Sequence, residues 1–245
     1  MPRSSAERQM ASLLTPSRKR GREILDDPDI DDALRARSLA DVARSNTMFG
    51  GWQAVRAELA LVLNGSTARS VSLLDVGTGI GDIPSLAAET WRARGVTITT
   101  FGIDTSASLL CEARAAGIIP VCADALALPI ASKSVDIAIC SQTLHHFETP
   151  HAVAVLRELD RVARERVIVS DIRRSWLAAA GIWLASYPLQ FHPVSRHDGV
   201  VSVLRGFTPG ELRLLVQNAT HQTPVARNRL GFRTTASWAP RTLAT

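Results

Sequence analysis

Residues 74–82 read Leu-Asp-Val-Gly-Thr-Gly-Ile-Gly-Asp, and this stretch decides the fold. It follows the short apolar run 71–74, which is typical of a buried strand. Three glycines without a Cβ allow the backbone of the following turn to pass very close to a ligand. The sequence therefore predicts a strand that ends in a ligand-binding turn, with the acidic residue Asp75 directly before the turn.

Two classes of cofactor use a glycine-rich turn of this kind. A dinucleotide requires the pattern G-x-G-x-x-G, so that its pyrophosphate can lie on the N-terminus of the following helix. Gly77 and Gly79 fit this pattern, but Asp82 takes the position of the third glycine, and its carboxylate would repel a diphosphate. S-adenosylmethionine (SAM) carries an ammonium and a sulfonium and no phosphate, so acids around the turn favour it.

Three later segments repeat the pattern of a strand followed by polar residues. The run 96–103 precedes Asp104, roughly 20 residues after the glycines, where a carboxylate accepts hydrogen bonds from a ribose diol. The run 118–122 precedes Asp124, and the run 135–141 precedes Gln-Thr-Leu-His-His-Phe. With residues 75–81, these motifs resemble the class I SAM-dependent methyltransferases of the small-molecule type, which include the quinone-biosynthesis and polyketide O-methyltransferases.

This resemblance implies a SAM site at the carboxyl end of the sheet. Asp104 would bind the ribose, and Asp124 with the N–H of Ala125 would bind the adenine. Asp75 would lie near the methionine ammonium or organise the turn, and Ser141 would lie beneath the sulfonium or be a buried serine. The implied cofactor-binding residues are Asp75, Gly77, Thr78, Gly79, Gly81, Asp104, Thr105, Asp124, Ala125 and Ser141.

His145 and His146 are the best candidates for catalysis, because they follow the fourth strand and would face the methyl donor. A phenol or quinol oxygen loses its proton as it attacks, and a histidine with a pKa near neutrality can accept that proton. A packing or capping role for each histidine is an equal alternative. His192 and His197 rank second, and Asp171 at the end of the fifth strand could orient a base.

Composition limits the cellular context and the partners. Six of the basic residues and only one acid lie in residues 1–22, so this segment accounts for the net charge of +5 and the rest of the chain is neutral. We therefore expect no nucleic-acid partner.

The three cysteines are scattered and no secretory signal precedes them, which indicates a cytoplasmic protein. The His, Asp and Cys residues lack the spacing of metal ligands, so we expect no metal. Arginine far outnumbers lysine, which indicates a bacterial source.

The alternation of strands and helices predicts an α/β fold with a Rossmann-like, seven-stranded, mostly parallel sheet and helices on both faces. Strands are predicted at 71–76, 97–103, 118–122, 135–141 and 166–172, with a closing antiparallel hairpin of 223–228 and 231–238. Helices are predicted near 82–94, 106–116 and 151–163, and the capping box Thr208–Glu211 opens a further one.

Additions to this fold are predicted before the first strand and after the fifth. Residues 1–22 form a basic flexible leader, 23–65 a helical cap that begins with Asp27 as N-cap, and 66–245 the SAM-binding domain. Arg44 and Asn46 of the cap could reach the SAM carboxylate. Residues 173–207 form an inserted substrate lid after the fifth strand. Its Trp, Phe and Leu residues indicate an apolar or aromatic substrate and a transient membrane contact, with ordinary core packing as the alternative.

Together these features predict a SAM-dependent methyltransferase that acts on a small hydrophobic, phenolic or quinol-like acceptor, with O-methylation favoured over C-methylation. Three alternatives stay open: a non-catalytic accessory protein with a SAM-binding fold, a nucleotide-linked oxidoreductase, and a methyltransferase of nucleic acids or proteins. The absence of an Asn-Pro-Pro-Tyr or Asp-Pro-Pro-Tyr motif argues against the nucleic-acid enzyme. The identity of the acceptor and the oligomeric state do not follow from the sequence.

Overall fold

A computed structural model describes residues 14–19, 21–27, 29–65 and 67–241, apart from the side chain of Asp32. Residues 1–13 and 20 of the predicted leader lie outside the described residues. The described helices are α1 (Asp32–Met48), α2 (Gly51–Leu63), α3 (Asp82–Arg92), α4 (Ala107–Ala115), α5 (Thr149–Val162), α6 (Trp176–Ala185), α7 (Pro193–Arg205) and α8 (Pro209–Thr220). The described strands are β1 (Ser70–Val76), β2 (Thr97–Asp104), β3 (Ile119–Cys122), β4 (Val135–Ser141), β5 (Ala163–Ile172), β6 (Val225–Arg229) and β7 (Arg233–Trp238).

The seven strands form one sheet in the order β3-β2-β1-β4-β5-β7-β6. Strands β1 to β5 pair in parallel, and β7 runs antiparallel to both β5 and β6. The predicted seven-stranded, mostly parallel sheet with a closing hairpin is therefore confirmed. The strand order reverses between β1 and β4, and ligands of open α/β sheets bind outside the carboxyl ends of the strands at such a point.

Apolar side chains cover both faces of this sheet. Helices α2 and α3 place Leu59 and Trp91 on one face, against Leu73 and Ile137 of the central strands. On the other face, α5 and α8 contribute a second cluster that includes Leu156 and Leu212. Burial on both faces explains why β1 and β4 read as nearly continuous apolar runs in the sequence.

The first helix starts later than predicted. Asp27 was expected to be its N-cap, but α1 begins at Asp32, and the Asp31 side chain accepts a hydrogen bond from the N–H of Leu34. Asp27 instead ends a short 3₁₀ turn, Ile24–Asp26. The prediction is wrong because two acids compete for the same helix start, and the later one completes the cap. The helix then continues to Met48.

The insertion after β5 consists of two helices, α6 and α7, which pack on each other. Ala178 and Ala179 of α6 are buried, whereas Leu177, Trp183 and Leu184 are about half exposed or more. Among the described residues, no helix combines the length and apolar character required to cross a membrane.

Candidate active site

A cavity of about 1140 Å³ lies above the carboxyl ends of the central strands. Helix α1 and lid helices α6 and α7 contribute to its walls, together with the glycine-rich turn after β1 and the polar segment after β4. The topology therefore brings the predicted cap, the predicted lid and the sequence motifs to one place.

The three glycines of the turn have different surroundings, although all have a positive φ. A Cβ at Gly77 would collide with the side chain of Thr143, and one at Gly81 would lie 2.8 Å from Ile118 Cγ1. A Cβ at Gly79 would meet nothing within 4 Å. Gly77 and Gly81 thus allow close packing within the protein, whereas Gly79 leaves open space where a ligand could approach the backbone.

The acids at the ends of β2 and β3 both line the cavity. Asp104 accepts hydrogen bonds from the N–H of Gly79 and of Ser106, each at 3.0 Å, and so links the glycine turn to the start of α4. Asp124 is exposed and accepts a hydrogen bond of 2.9 Å from the N–H of Leu126. The predicted positions Thr78, Thr105, Ala125 and Ser141 line the same cavity.

Asp75 is a buried acid, and its Oδ1 has no hydrogen-bond partner within the described part of the chain. Burial raises the pKa of Asp75 to about 8, and the nearby charges of Asp82 and Asp104 act in the same direction. A cation placed beside these three acids would be strongly favoured, because it would relieve both the desolvation and the mutual repulsion.

A chain of polar side chains crosses the cavity beside Asp82. Asn46 Nδ2 donates to Asp82 at 2.9 Å, the side-chain amide of Gln142 donates to Asn46, and Arg233 Nη1 donates to Gln142 Oε1 at 2.5 Å. Asn46 was predicted to approach a ligand, and it does line the cavity, whereas Arg44 hydrogen-bonds to the carbonyl of Leu189. Sequence reasoning missed Gln142 and Arg233, because their roles arise from contacts between distant segments.

His145 is buried between two carboxylates. Its Nδ1 lies 2.7 Å from Asp171 Oδ1, and its Nε2 lies 3.7 Å from Glu23 Oε1. Burial opposes protonation of the ring, but the charge and hydrogen bond of Asp171 and the nearby charge of Glu23 outweigh this effect and raise the pKa of His145 to about 9. The structure thus brings Asp171 to the candidate histidine, as the sequence suggested, and adds Glu23.

His146 is held in a similar way. Its Nδ1 lies 3.0 Å from Asp26 Oδ1, its Nε2 lies 3.9 Å from Glu23 Oε2, and its ring centroid lies 4.3 Å from that of His145. Arg205 Nη1 contacts Asp26 Oδ2 at 2.7 Å and Glu23 Oε1 at 3.3 Å. Sequence reasoning missed both acids, and the only local signal is the acidic segment 23–27, whose pattern also indicates a helix start.

Three predicted candidates lie outside the cavity lining. Gly81 is the N-cap of α3, and His192 caps α7 by accepting a hydrogen bond from the N–H of Val194 at 3.3 Å. His197 Nδ1 lies 2.7 Å from Asp198 Oδ1 on a half-exposed surface. These positions support the turn and the lid and do not face a ligand.

The comparison with protein families agrees with this geometry. Residues 74–170 match the family described as a methyltransferase domain. The chain carries a SAM-dependent methyltransferase domain. The matched range begins at the end of β1 and extends almost to the end of β5, so it contains the glycine turn, Asp104, Asp124 and both histidines of this methyltransferase domain.

Solved structures show that the methyltransferase fold extends over most of the chain. A magnesium protoporphyrin IX methyltransferase from Synechocystis PCC 6803 with bound SAM is 15% identical with a TM-score of 0.52, over 89% of this chain and 88% of that chain. The plantazolicin methyltransferase BamL is 18% identical with a TM-score of 0.61, over 80% of this chain and 72% of that chain. A SAM-dependent methyltransferase from Aquifex aeolicus is 16% identical with a TM-score of 0.56, over 86% of this chain and 98% of that chain. The comparison with curated proteins finds no match.

Proposed function

We propose that this enzyme transfers the methyl group of SAM to an oxygen atom of a small, apolar, phenolic or quinol-like acceptor. The observation that carries the proposal is that one cavity joins an acid-lined end to an apolar end, with two histidines between acids on its wall. Its volume of about 1140 Å³ exceeds the roughly 300–1,000 Å³ of common ligand pockets. It can therefore hold a cofactor and an acceptor together.

The acid-lined end is the proposed SAM site. The carboxyl group of Asp75 would face the methionine ammonium, the Asp104 carboxylate would accept hydrogen bonds from the ribose hydroxyls, and Asp124 with the N–H of Ala125 would contact the adenine. Asp82, fixed by Asn46, adds a further negative charge beside the glycine turn. A cofactor with positive charge and no phosphate suits these groups, and a dinucleotide does not.

The apolar end is the proposed acceptor site. Its wall comes from β5, the lid helices and the turn before β7. Apolar side chains dominate there, and they include Ile172, Ile182, Phe191, Val203 and Phe232. A flat aromatic acceptor would bury its rings against these groups and would leave its hydroxyl for the polar wall.

The reaction would be an in-line displacement at the methyl carbon of SAM. The acceptor oxygen attacks this carbon, the bond from carbon to sulfur breaks, and S-adenosylhomocysteine leaves. SAM is already activated, so the protein mainly supplies positioning and a means to ionise the acceptor hydroxyl. His145 and His146 are the proposed catalytic residues, because they line the cavity and are held firmly by Asp171, Asp26 and Glu23.

The test is a screen of phenols and quinols with methyl-labelled SAM, using matched methyl ethers as controls that lack the hydroxyl. We expect label in a methyl ether, identified by mass spectrometry and NMR. His146→Asn should lower the rate of transfer by at least tenfold while SAM affinity changes little. Label on nitrogen or carbon would contradict O-methylation, and SAM binding without transfer to any acceptor would favour the accessory-protein alternative.

A further inference from the structure

We propose that Glu23, His145 and His146 bind a divalent transition-metal ion such as Zn²⁺ at the wall of the cavity. The binding of the ion follows from the geometry of these three side chains alone. The role that we assign to the ion, activation of the acceptor oxygen, rests on the proposed function.

The three side chains already place one donor atom each around a common point. These donor atoms all lie within 4.8 Å of one another, and Glu23 oxygens lie 3.7 Å from His145 Nε2 and 3.9 Å from His146 Nε2. Ligands about 2.1 Å from a tetrahedral Zn²⁺ are separated by about 3.4 Å. The donor atoms would therefore have to approach one another by up to about 1.4 Å to complete the site, a change that side-chain rotation can supply.

Each histidine is oriented by a second carboxylate on its far side. Asp171 lies 2.7 Å from Nδ1 of His145, and Asp26 lies 3.0 Å from Nδ1 of His146. A carboxylate at Nδ1 fixes the proton on that nitrogen and leaves the Nε2 lone pair for a metal, an arrangement shared by most metal-binding histidines. Both Nε2 atoms are therefore set to act as ligands beside Glu23.

The Nε2 atom of His145 is an independent indication of a ligand. This side chain is only 2% exposed, and its Nε2 has no hydrogen-bond partner within the described residues. The 3.7 Å to Glu23 Oε1 exceeds hydrogen-bond length. Buried nitrogen atoms of this kind are nearly always paired, so the atom points to a bound species between the ring and Glu23.

The charges around the site also favour a cation. Glu23, Asp26 and Asp171 contribute three carboxylates, and Arg205, which contacts Glu23 and Asp26, offsets one of these charges. Arg233 interacts electrostatically with Asp171 and offsets a second, which leaves one net negative charge. An ion that binds here replaces the proton on Nε2 of His145, so both imidazoles are then neutral and the ion interacts favourably with the remaining negative charge in this buried setting.

The donor set selects the kind of ion and leaves room for a substrate. Two imidazoles and one carboxylate suit Zn²⁺ and similar first-row ions, whereas Mg²⁺ prefers oxygen donors only. Three protein ligands leave a coordination position open, as in catalytic zinc sites. Because Glu23, His145 and His146 all line the cavity, that position is accessible to an acceptor hydroxyl.

An ion at this position would ionise the acceptor without a protein base. It would lower the pKa of the bound hydroxyl, and the proton would pass to solvent water. The oxygen then attacks the methyl carbon of SAM, and the electron pair of the broken bond stays on sulfur. The products are a methyl ether and S-adenosylhomocysteine.

The test is calorimetric titration of the chelator-treated full-length protein with Zn²⁺, without SAM or acceptor. We expect one ion per chain. His146→Asn and Glu23→Gln should each weaken binding at least tenfold, and Asp26→Asn should weaken it by about 10–100-fold through His146. His192→Asn, outside the cavity lining, is the matched control and should bind as the wild type does. The exposed Cys111 and Cys122 stay in every variant, so binding through them would not differ among these proteins.

Circular dichroism and thermal unfolding establish that each variant is folded. Equal binding by His146→Asn and His192→Asn, or no stoichiometric binding by the wild type, would overturn the proposed site. Stoichiometric binding in a protein that methylates no acceptor would support the site and contradict the proposed function. Methyl transfer that continues at full rate after removal of the ion would overturn its proposed role.

Discussion

Asp75 combines two properties that rarely occur together in a folded protein. It is fully buried, and its carboxyl group has an oxygen without a hydrogen-bond partner among the described residues. Desolvation therefore dominates, and the pKa rises to about 8. An acid of this kind is neutral at pH 7 until a cation arrives, so it can couple ligand binding to the loss of a proton.

This coupling predicts the pH dependence of SAM binding. Below pH 8 the free protein holds a proton on Asp75, and the SAM ammonium favours the ionised form. The logarithm of the association constant should therefore rise with pH between 6 and 7.5, with a slope of up to about one, and level off near pH 8. Calorimetry in buffers of different ionisation enthalpy measures the released proton. Asp75→Asn should remove the slope, and a wild type with pH-independent affinity would contradict this role.

The turn after β1 shows how one motif serves two purposes. Gly77 makes room for Thr143 and so connects the ends of β1 and β4, whereas Gly79 opens toward the cavity. The sequence pattern treats these glycines alike, and only the packing separates a structural position from a ligand-facing one.

Substitution of each glycine should separate these purposes. Gly77→Ala should lower the free energy of unfolding by about 2–4 kcal/mol, because the Cβ collides with Thr143 and the φ is +76°. Gly79→Ala should cost about 1–2 kcal/mol from its φ alone but weaken SAM binding more than Gly77→Ala does. Urea unfolding measures the free energy of unfolding of both variants. Adding Thr143→Ala to Gly77→Ala should restore part of the stability that Gly77→Ala loses. Equal effects on stability would contradict the assignment.

Helix α6 presents an apolar surface that the described residues leave uncovered. Leu177, Trp183 and Leu184 are 55%, 46% and 61% exposed. Basic side chains lie nearby. Lys19 lies over the ring of Trp176, and Arg196 lies over the ring of the exposed Tyr187. Apolar and aromatic groups flanked by positive charge are typical of a surface that binds the interface of an anionic membrane.

We therefore expect weak binding to vesicles of anionic phospholipid and less to zwitterionic vesicles. Trp183→Ser combined with Leu184→Ser should reduce the bound fraction several-fold in co-sedimentation, because most of the apolar contact is removed. Leu61→Ser on α2, at a similarly exposed apolar position, should have no effect. Absence of binding by the wild type, or an equal loss in the control, would contradict a membrane contact of the lid.

Local sequence signals were sufficient for the sheet and for the position of the cavity. The glycine turn directly follows the apolar run of β1, and the polar segment with both histidines directly follows that of β4, so local order places each motif at the end of its strand. The start of α1 was wrong, because Asp27 and Asp31 offer the same capping chemistry and packing decides between them. Glu23 and Asp26 were missed as partners of His145 and His146, since a contact across more than a hundred residues leaves no local pattern.

One buried acid on α2, Glu58, connects this helix to strands β6 and β7. Glu58 Oε1 accepts hydrogen bonds from Arg229 at 2.5 Å and Thr235 at 2.6 Å, and Oε2 accepts from Ser237 at 2.9 Å and Arg227 at 3.2 Å. These contacts attach the N-terminal helices to the closing hairpin, which in turn positions Arg233 at the cavity. Loss of this connection would affect folding and the site together.

Glu58→Ala should lower the free energy of unfolding by about 3 kcal/mol, because it leaves buried hydroxyls and two arginines without their partner. Although burial opposes ionisation, the hydrogen bonds from Thr235 and Arg229 lower the pKa of Glu58 below its ordinary 4.5. Its contribution is therefore complete above pH 4.5 and is lost as the pH falls through the lowered pKa. Urea unfolding at pH 7 and pH 3.5 measures both effects. Glu165→Ala, at an exposed position near the start of β5, is the control, and an equal effect there would contradict this role of Glu58.

The proposed function requires that SAM binds at the acid-lined end of the cavity, with its ribose on Asp104. The most direct measurement is calorimetric titration of the wild type, Asp104→Asn and Asp136→Asn with SAM and, separately, with NAD. Asp136 hydrogen-bonds to Ser72 near the opposite end of the sheet and serves as the matched control. We predict SAM binding by the wild type, a loss of about 1–3 kcal/mol (roughly 5–150-fold) in Asp104→Asn and no change in Asp136→Asn. Unchanged SAM affinity in Asp104→Asn, or a preference for NAD, would contradict the claim.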